Sequence, residues 1–216
     1  LNWVGQLQRF DITNYIIIAT DEDAYNKLKS KNIKTKLHKG KILKKSGTGW
    51  RFRFSITYEY LKKSNILHSD LDAVWLKNPF ELLDADNDII ASKDIGGWPK
   101  LTYDKWGFTM CMGWIYFRSN SSVLNVFDNI LSKETDFDDQ EELNNNFSIK
   151  VDKSDIYYNN QEVCMNMGDL RLRVLSEDDV FRGNFNETAY VCHPLMKKQA
   201  DRAKQLKKRG LWFYDK

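Results

Sequence analysis

Apolar positions along the chain alternate between two rhythms. Trp3, Leu7 and Phe10 recur at helical spacing, and Asn14 to Ala19 then runs apolar for the length of a short buried strand. Thr20, with Asp23 three residues later, reads as a capping box opening a polar helix over Ala24 to Ser30. From Lys27 to Lys45 the chain is lysine-rich and punctuated by glycine, which predicts loop with at most one short strand. Trp50, Phe54, Tyr58 and Leu61 then form the stripe of an amphipathic helix ending near Lys63. Strands are predicted over Asn65 to Ser69, Asp88 to Ser92, Trp114 to Arg118, Leu170 to Leu175 and Tyr190 to Cys192. Helix starts are predicted at Asn78-Pro79, near Asn120, near Asp139 and at Lys197. Strands alternate with helices, and neither a repeat nor a low-complexity linker interrupts them. The pattern therefore predicts a single α/β domain over residues 1–216, with a mainly parallel central sheet flanked by helices.

Composition narrows the functions open to such a domain. With 33 basic and 30 acidic residues the net charge is +3, too balanced for a nucleic-acid binder. The basic stretch from Lys27 to Lys45 lacks interleaved aromatics, and Lys197 to Arg209 reads as the solvated face of a terminal helix. No apolar run approaches the roughly 20 residues of a membrane span. Cys111, Cys164 and Cys192 show no CxxC spacing, so neither a disulfide framework nor a zinc knuckle is expected, and the redox compartment stays open. The opening at Leu1 reads as a trimmed front end.

Candidate chemistry centres on Ser69-Asp70-Leu71-Asp72. Residues two apart on an extended segment point the same way, so Asp70 and Asp72 can converge. In open α/β sheets ligands bind beyond the carboxyl ends of strands, where these two carboxylates would sit. Two like charges there call for a hard cation, which in turn can hold a diphosphate. One alternative is a solvated turn. Another is a haloacid-dehalogenase-type phosphatase, whose nucleophile motif is also an apolar strand followed by DxD. That motif continues Gly-Thr, whereas Ala73-Val74 follows here, and it opens its domain, whereas Asp70 comes late.

Taken whole, Ser69 to Pro79 resembles the Ser-Asp-x-Asp-x-x-Trp-Leu-x-x-Pro signature of the nucleotide-diphospho-sugar transferases of glycosyltransferase family 77. These are retaining enzymes of the Rossmann-like GT-A fold, related to glycogenin-like transferases. The resemblance continues in order through Ile90 to Asp94, Cys111 to Ser119, Asp139 to Asn144, Val191 to His193 and Gly210 to Trp212. It implies transfer of a sugar from a nucleoside diphosphate donor, with UDP the expected nucleotide, to a hydroxyl of a glycan or glycoprotein acceptor. It further implies a manganese ion, with magnesium as the alternative, held by Asp70, Asp72 and His193.

Carried over residue by residue, the resemblance gives catalytic weight to Asp72 and Asp139, the latter beside the sugar or simply a helix N-terminal charge. It assigns donor contacts to Arg53, with Arg51 competing for the register, and to Ser92, Lys93, Asp94, Gly113, Gln140 and Lys198. Where many relatives have Asn-Thr-Gly, Cys111-Met112-Gly113 stands here, which implies softer contacts to the donor sugar. A nucleotide-sugar-binding relic without turnover is the non-enzymatic alternative. Relatives also carry a hydrophobic strand upstream of the segment aligned with Leu1.

Overall fold

The computed structural model describes residues 1–38, 48–133, 135–183, 185–194 and 199–213. Helix α1 (Asn2–Arg9) leads to strand β1 (Ile17–Ala19), helix α2 (Glu22–Lys29) and strand β2 (Thr35–Leu37). The cap of α2 is Asp21, whose carboxylate accepts from the Ala24 amide at 2.7 Å, and not Thr20. Strands β1 and β2 pair in parallel as a separate two-stranded sheet joined by α2. Helix α3 (Thr48–Leu61) then delivers the chain to β3 (Ile66–Ser69) and β4 (Val74–Trp75). In place of a helix at Asn78-Pro79 there is one 3-10 turn, Pro79–Leu82, capped by the Asn78 side chain.

The main sheet has six strands. β5 (Ile89–Asp94), α4 (Lys100–Trp106), β6 (Thr109–Phe117), α5 (Ser121–Leu131) and α6 (Asp139–Lys150) precede a meander of β7 (Ile156–Asn159), β8 (Glu162–Met167) and β9 (Leu170–Val174). The order is β3-β6-β5-β9-β8-β7, and only β5 with β9 is parallel within it. The expected mainly parallel sheet is thus replaced by a mixed, largely antiparallel one. The reason lies in the connections, because a parallel neighbour needs a long crossover whereas an antiparallel one needs only a turn. Residues 156–174 carry no such crossover. Asn160 and Gln161 both take positive φ (47° and 69°) to close the β7–β8 hairpin.

The last strands, β10 (Val180–Arg182) and β11 (Val191–His193), join β4 in a three-stranded sheet in the order β10-β11-β4. Helix α7 (Gln199–Lys208) follows; the expected start at Lys197 lies outside the described residues.

Two apolar layers sandwich the main sheet. Phe54, Leu61, Phe117, Phe127 and Phe147 form one, and Phe54 stacks on Phe127 with ring centroids 4.1 Å apart. Trp3, Leu7, Trp75, Trp114, Tyr116 and Val191 form the other. All nine residues of β6 are buried because it runs between both. Along it, Met110 and Met112 face the first layer, as do Ile115 and Phe117, so the alternation changes parity between 112 and 115. The pairing with β5 shows why: Ala91 faces Ile115 but Ser92 faces Cys111, so Met112, Gly113 and Trp114 have no partner on β5. This irregularity re-aims the strand in the manner of a β-bulge.

Candidate active site

The DxD turn is built from its own motif. Asp70 donates its amide to the Gly113 carbonyl at 2.8 Å, tying the turn to the irregular stretch of β6, and its carbonyl accepts from the Ala73 amide at 3.0 Å. The Trp75 indole donates to the Ser69 hydroxyl at 3.1 Å, while the Trp75 amide donates to the Gln6 side chain at 2.7 Å. Buried Trp75 also sits edge-on to Trp3 and Phe80. The Ser and Trp of the motif therefore staple the turn, with both Asp side chains turned toward His193.

β11 runs antiparallel to β4, pairing Val191 with Trp75 and Cys192 with Val74, so His193 arrives beside the turn. Its Nε2 lies 3.3 Å from Asp72 and 3.7 Å from Asp70. One ligating atom from each of Asp70, Asp72 and His193 falls within 4.8 Å of the others. Charges govern this cluster. Burial pushes the Asp70 carboxyl up, but a hydrogen bond from His68 and the charges of Arg53, His68 and His193 prevail and hold it well below the usual carboxylate range. Asp72 is likewise lowered against burial, by His193 and Arg202. Burial works against the His193 imidazolium, yet Asp72 pushes its pKa up to about 9.

A divalent ion suits these residues. Two ionised carboxylates and one imidazole are a donor set that manganese accepts, and Gly113 leaves the room. A Cβ at Gly113 would stand 2.3 Å from His193 Cε1, 2.7 Å from its Nδ1 and 2.9 Å from an Asp70 oxygen. Among the described residues, buried His193 Nδ1 has no hydrogen-bond partner.

Asp139 opens α6, behind the N-cap Asp138, and is fully buried. Arg53 grips it through two bonds, Nε to Oδ2 at 2.6 Å and Nη2 to Oδ1 at 2.7 Å, and reaches Asp70 with Nη1 at 2.9 Å. Burial pushes the Asp139 carboxyl up and Arg53 opposes it. The net direction for Asp139 is upward, while the Arg53 guanidinium keeps its proton. Between the two candidate arginines the geometry is unambiguous. Arg51 points away, to the carbonyls of Leu131, Lys133 and Thr135. Trp50, expected in the core stripe, is 44% exposed, and its ring lies 4.4 Å from the Arg53 guanidinium carbon.

A second network adjoins the first. Gln140 donates to Asp94 at 2.8 Å and to the Trp98 carbonyl at 3.0 Å, and accepts from the Met112 amide at 3.2 Å. Arg182 lies 3.3 Å from Asp94 and touches the Cys111 sulfur. Ser92 is buried and donates to the Trp114 carbonyl at 3.0 Å, while Lys93 is half-buried on the same strand. Lys198 lies outside the described residues.

Four participants escaped the sequence reading: His68 on Asp70, Arg202 on Asp72, Arg182 on Asp94, and Trp50 over Arg53. His68 was findable, being two residues before Asp70 on a strand. Arg182 and Arg202 reach the site only through strand register and the return of α7, which no local pattern encodes.

A mixed sheet carrying acids after one strand and an imidazole from a late one, with helices beside it, fits a GT-A-like domain. The family model for nucleotide-diphospho-sugar transferases matches residues 11–201, and the chain belongs to that family. Membership implies a nucleotide-sugar donor and a glycan acceptor. Among curated proteins, none matches the chain. No helix among the described residues is long and apolar enough to cross a membrane.

Proposed function

We propose that the chain is a metal-dependent retaining glycosyltransferase of the family 77 type, moving a hexose or pentose from a UDP-sugar to a hydroxyl of a glycan or glycoprotein. The observation that carries this reading is the convergence of Asp70, Asp72 and His193 in a chain whose family uses nucleotide-diphospho-sugars. Asp70, Asp72 and His193 would hold manganese, or magnesium in its place. Such an ion neutralises charge growing on the departing diphosphate, usually the largest share of catalysis in such sites.

The chain's own groups complete the arrangement. Asp70 and Asp72 are already ionised and need shed nothing to bind a cation, whereas His193 must give up its proton. Arg53 holds both oxygens of Asp139. That grip suits a fixed negative charge beside the sugar better than a nucleophile. Asp94, Gln140 and Gly113 would contact the donor, with Arg182, which lies 3.3 Å from Asp94, added to them.

The test is Asp72→Asn, in thermal shift with UDP alone and with manganese. A ligand at about 100 times its Kd adds about 2.7 kcal/mol to the folded state. Wild type should show a manganese-dependent UDP shift and Asp72→Asn only the manganese-independent remainder. An undiminished shift, together with undiminished UDP-sugar turnover, would remove the metal role.

A further inference from the structure

The loop between β5 and α4 and the first turn of α4 expose apolar bulk. Ile95, Trp98, Leu101 and Tyr103 are 46%, 49%, 67% and 37% exposed. Yet this loop is pinned. The Gly96 amide donates to Asp94 at 2.8 Å, and the Trp98 carbonyl accepts from the Thr109 hydroxyl at 2.8 Å and from Gln140 at 3.0 Å. Gly97 takes φ +73°, and the Tyr103 amide donates to the Pro99 carbonyl at 3.0 Å. A half-exposed indole held on a rigid loop is prepared for contact before any ligand arrives.

Its place in the site says what that ligand is. One string of contacts runs Asp70–Arg53–Asp139, then through the next residue, Gln140, to Asp94 and the Trp98 carbonyl. The metal-ligating end of that string belongs to the diphosphate, so Trp98 lies toward the sugar and acceptor end. A pyranose offers an apolar face of C–H groups and an equatorial rim of hydroxyls. An exposed indole, on a residue whose backbone carbonyl accepts from Gln140, offers a flat face for those C–H groups. We propose that Trp98 is a stacking platform for a pyranose ring of the acceptor. This rests on the transferase reading above and adds to it where, and by which face, the acceptor docks.

Saturation-transfer NMR tests it, with the methyl α- and β-pyranosides of glucose, galactose, mannose and xylose as probes in the presence of UDP and manganese. At least one glycoside should receive saturation at its ring C–H protons. Trp98→Ala should weaken that binding by about tenfold or more, the scale of losing one aromatic stack, and Trp98→Phe should recover most of it. Should the alanine variant not fold, Trp98→Leu against Trp98→Phe makes the same contrast between aliphatic and aromatic. Equal binding by wild type and the leucine or alanine variant overturns the platform. So does a patch that proves to be a dimer contact, seen as self-association lost in Trp98→Ala with no glycoside response. UDP with manganese raising the melting temperature while every glycoside stays silent overturns the platform alone; silence from both overturns the transferase reading as well.

Discussion

Replacing Gly113 with alanine tests the site where its geometry is tightest. The new methyl carbon would stand 2.3 Å from His193 Cε1 and 2.7 Å from Nδ1. Carbon atoms in van der Waals contact sit about 3.5–4.0 Å apart, so the imidazole must retreat by about 1.2 Å or more. The opposite side offers no relief, because the same methyl would lie 2.9 Å from an Asp70 oxygen. Metal–ligand distances tolerate only about 0.2 Å, so a displacement of this size removes His193 from a shared coordination sphere. Displacing a ligand outright should cost at least the roughly 10–100-fold in affinity seen when a mere outer-shell partner is lost. Overpacking should also cost stability, about 1–3 kcal/mol. The assay is manganese titration followed by the EPR signal of the free ion, alongside thermal unfolding of the metal-free protein. Gly113→Ala that binds manganese as wild type does would refute the cradle. A lowered melting temperature with unchanged affinity would place the clash in the fold but not at the metal.

Three further outcomes follow from the charges. Arg53→Met strands the Asp139 carboxylate in the interior and should destabilise the fold by about 3–5 kcal/mol, whereas adding Asp139→Asn removes the stranded charge and should restore most of it. A double variant no more stable than the single one would show that the pair is not what matters. For pH, the His193 pKa is raised in the folded chain to about 9, so its stabilising contribution is full below the unfolded value near 6.5 and fades as pH rises through 9. The metal-free protein should therefore lose melting temperature between pH 7 and 9. Manganese uptake near pH 7.5 should release about one proton, read by calorimetry in buffers of different ionisation enthalpy. Uptake without proton release would mean that His193 is neutral beforehand or no ligand.

Several features were legible before any tertiary structure. The helical stripe through Phe54 and Leu61, the apolar strands and the N-caps at Asn78 and Asn120 follow from local periodicity and local hydrogen bonding. Asp70 and Asp72 do converge, but through a turn closed by the Ala73 amide on the Asp70 carbonyl and not through the extended backbone that was expected. The resemblance also put His193 beside them, as the fold does. Sheet direction was not legible, since alternation of strands and helices does not say which strands become neighbours. β7 and β8 went unpredicted because their residues are partly exposed on one face and lack a continuous apolar run.

By itself the sequence determined many of the elements, which segment carries paired carboxylates, and which family the motifs resemble, because each depends on residues close together in the chain. Tertiary structure alone decided that Arg53 serves Asp139 and Asp70, that Arg202 and Arg182 close on the site, and that Trp98 stands exposed at its far end. Those contacts join residues up to 130 positions apart. They exist through strand register and a parity change in β6, and such long-range pairing is set by the packing of whole layers, not by any local pattern.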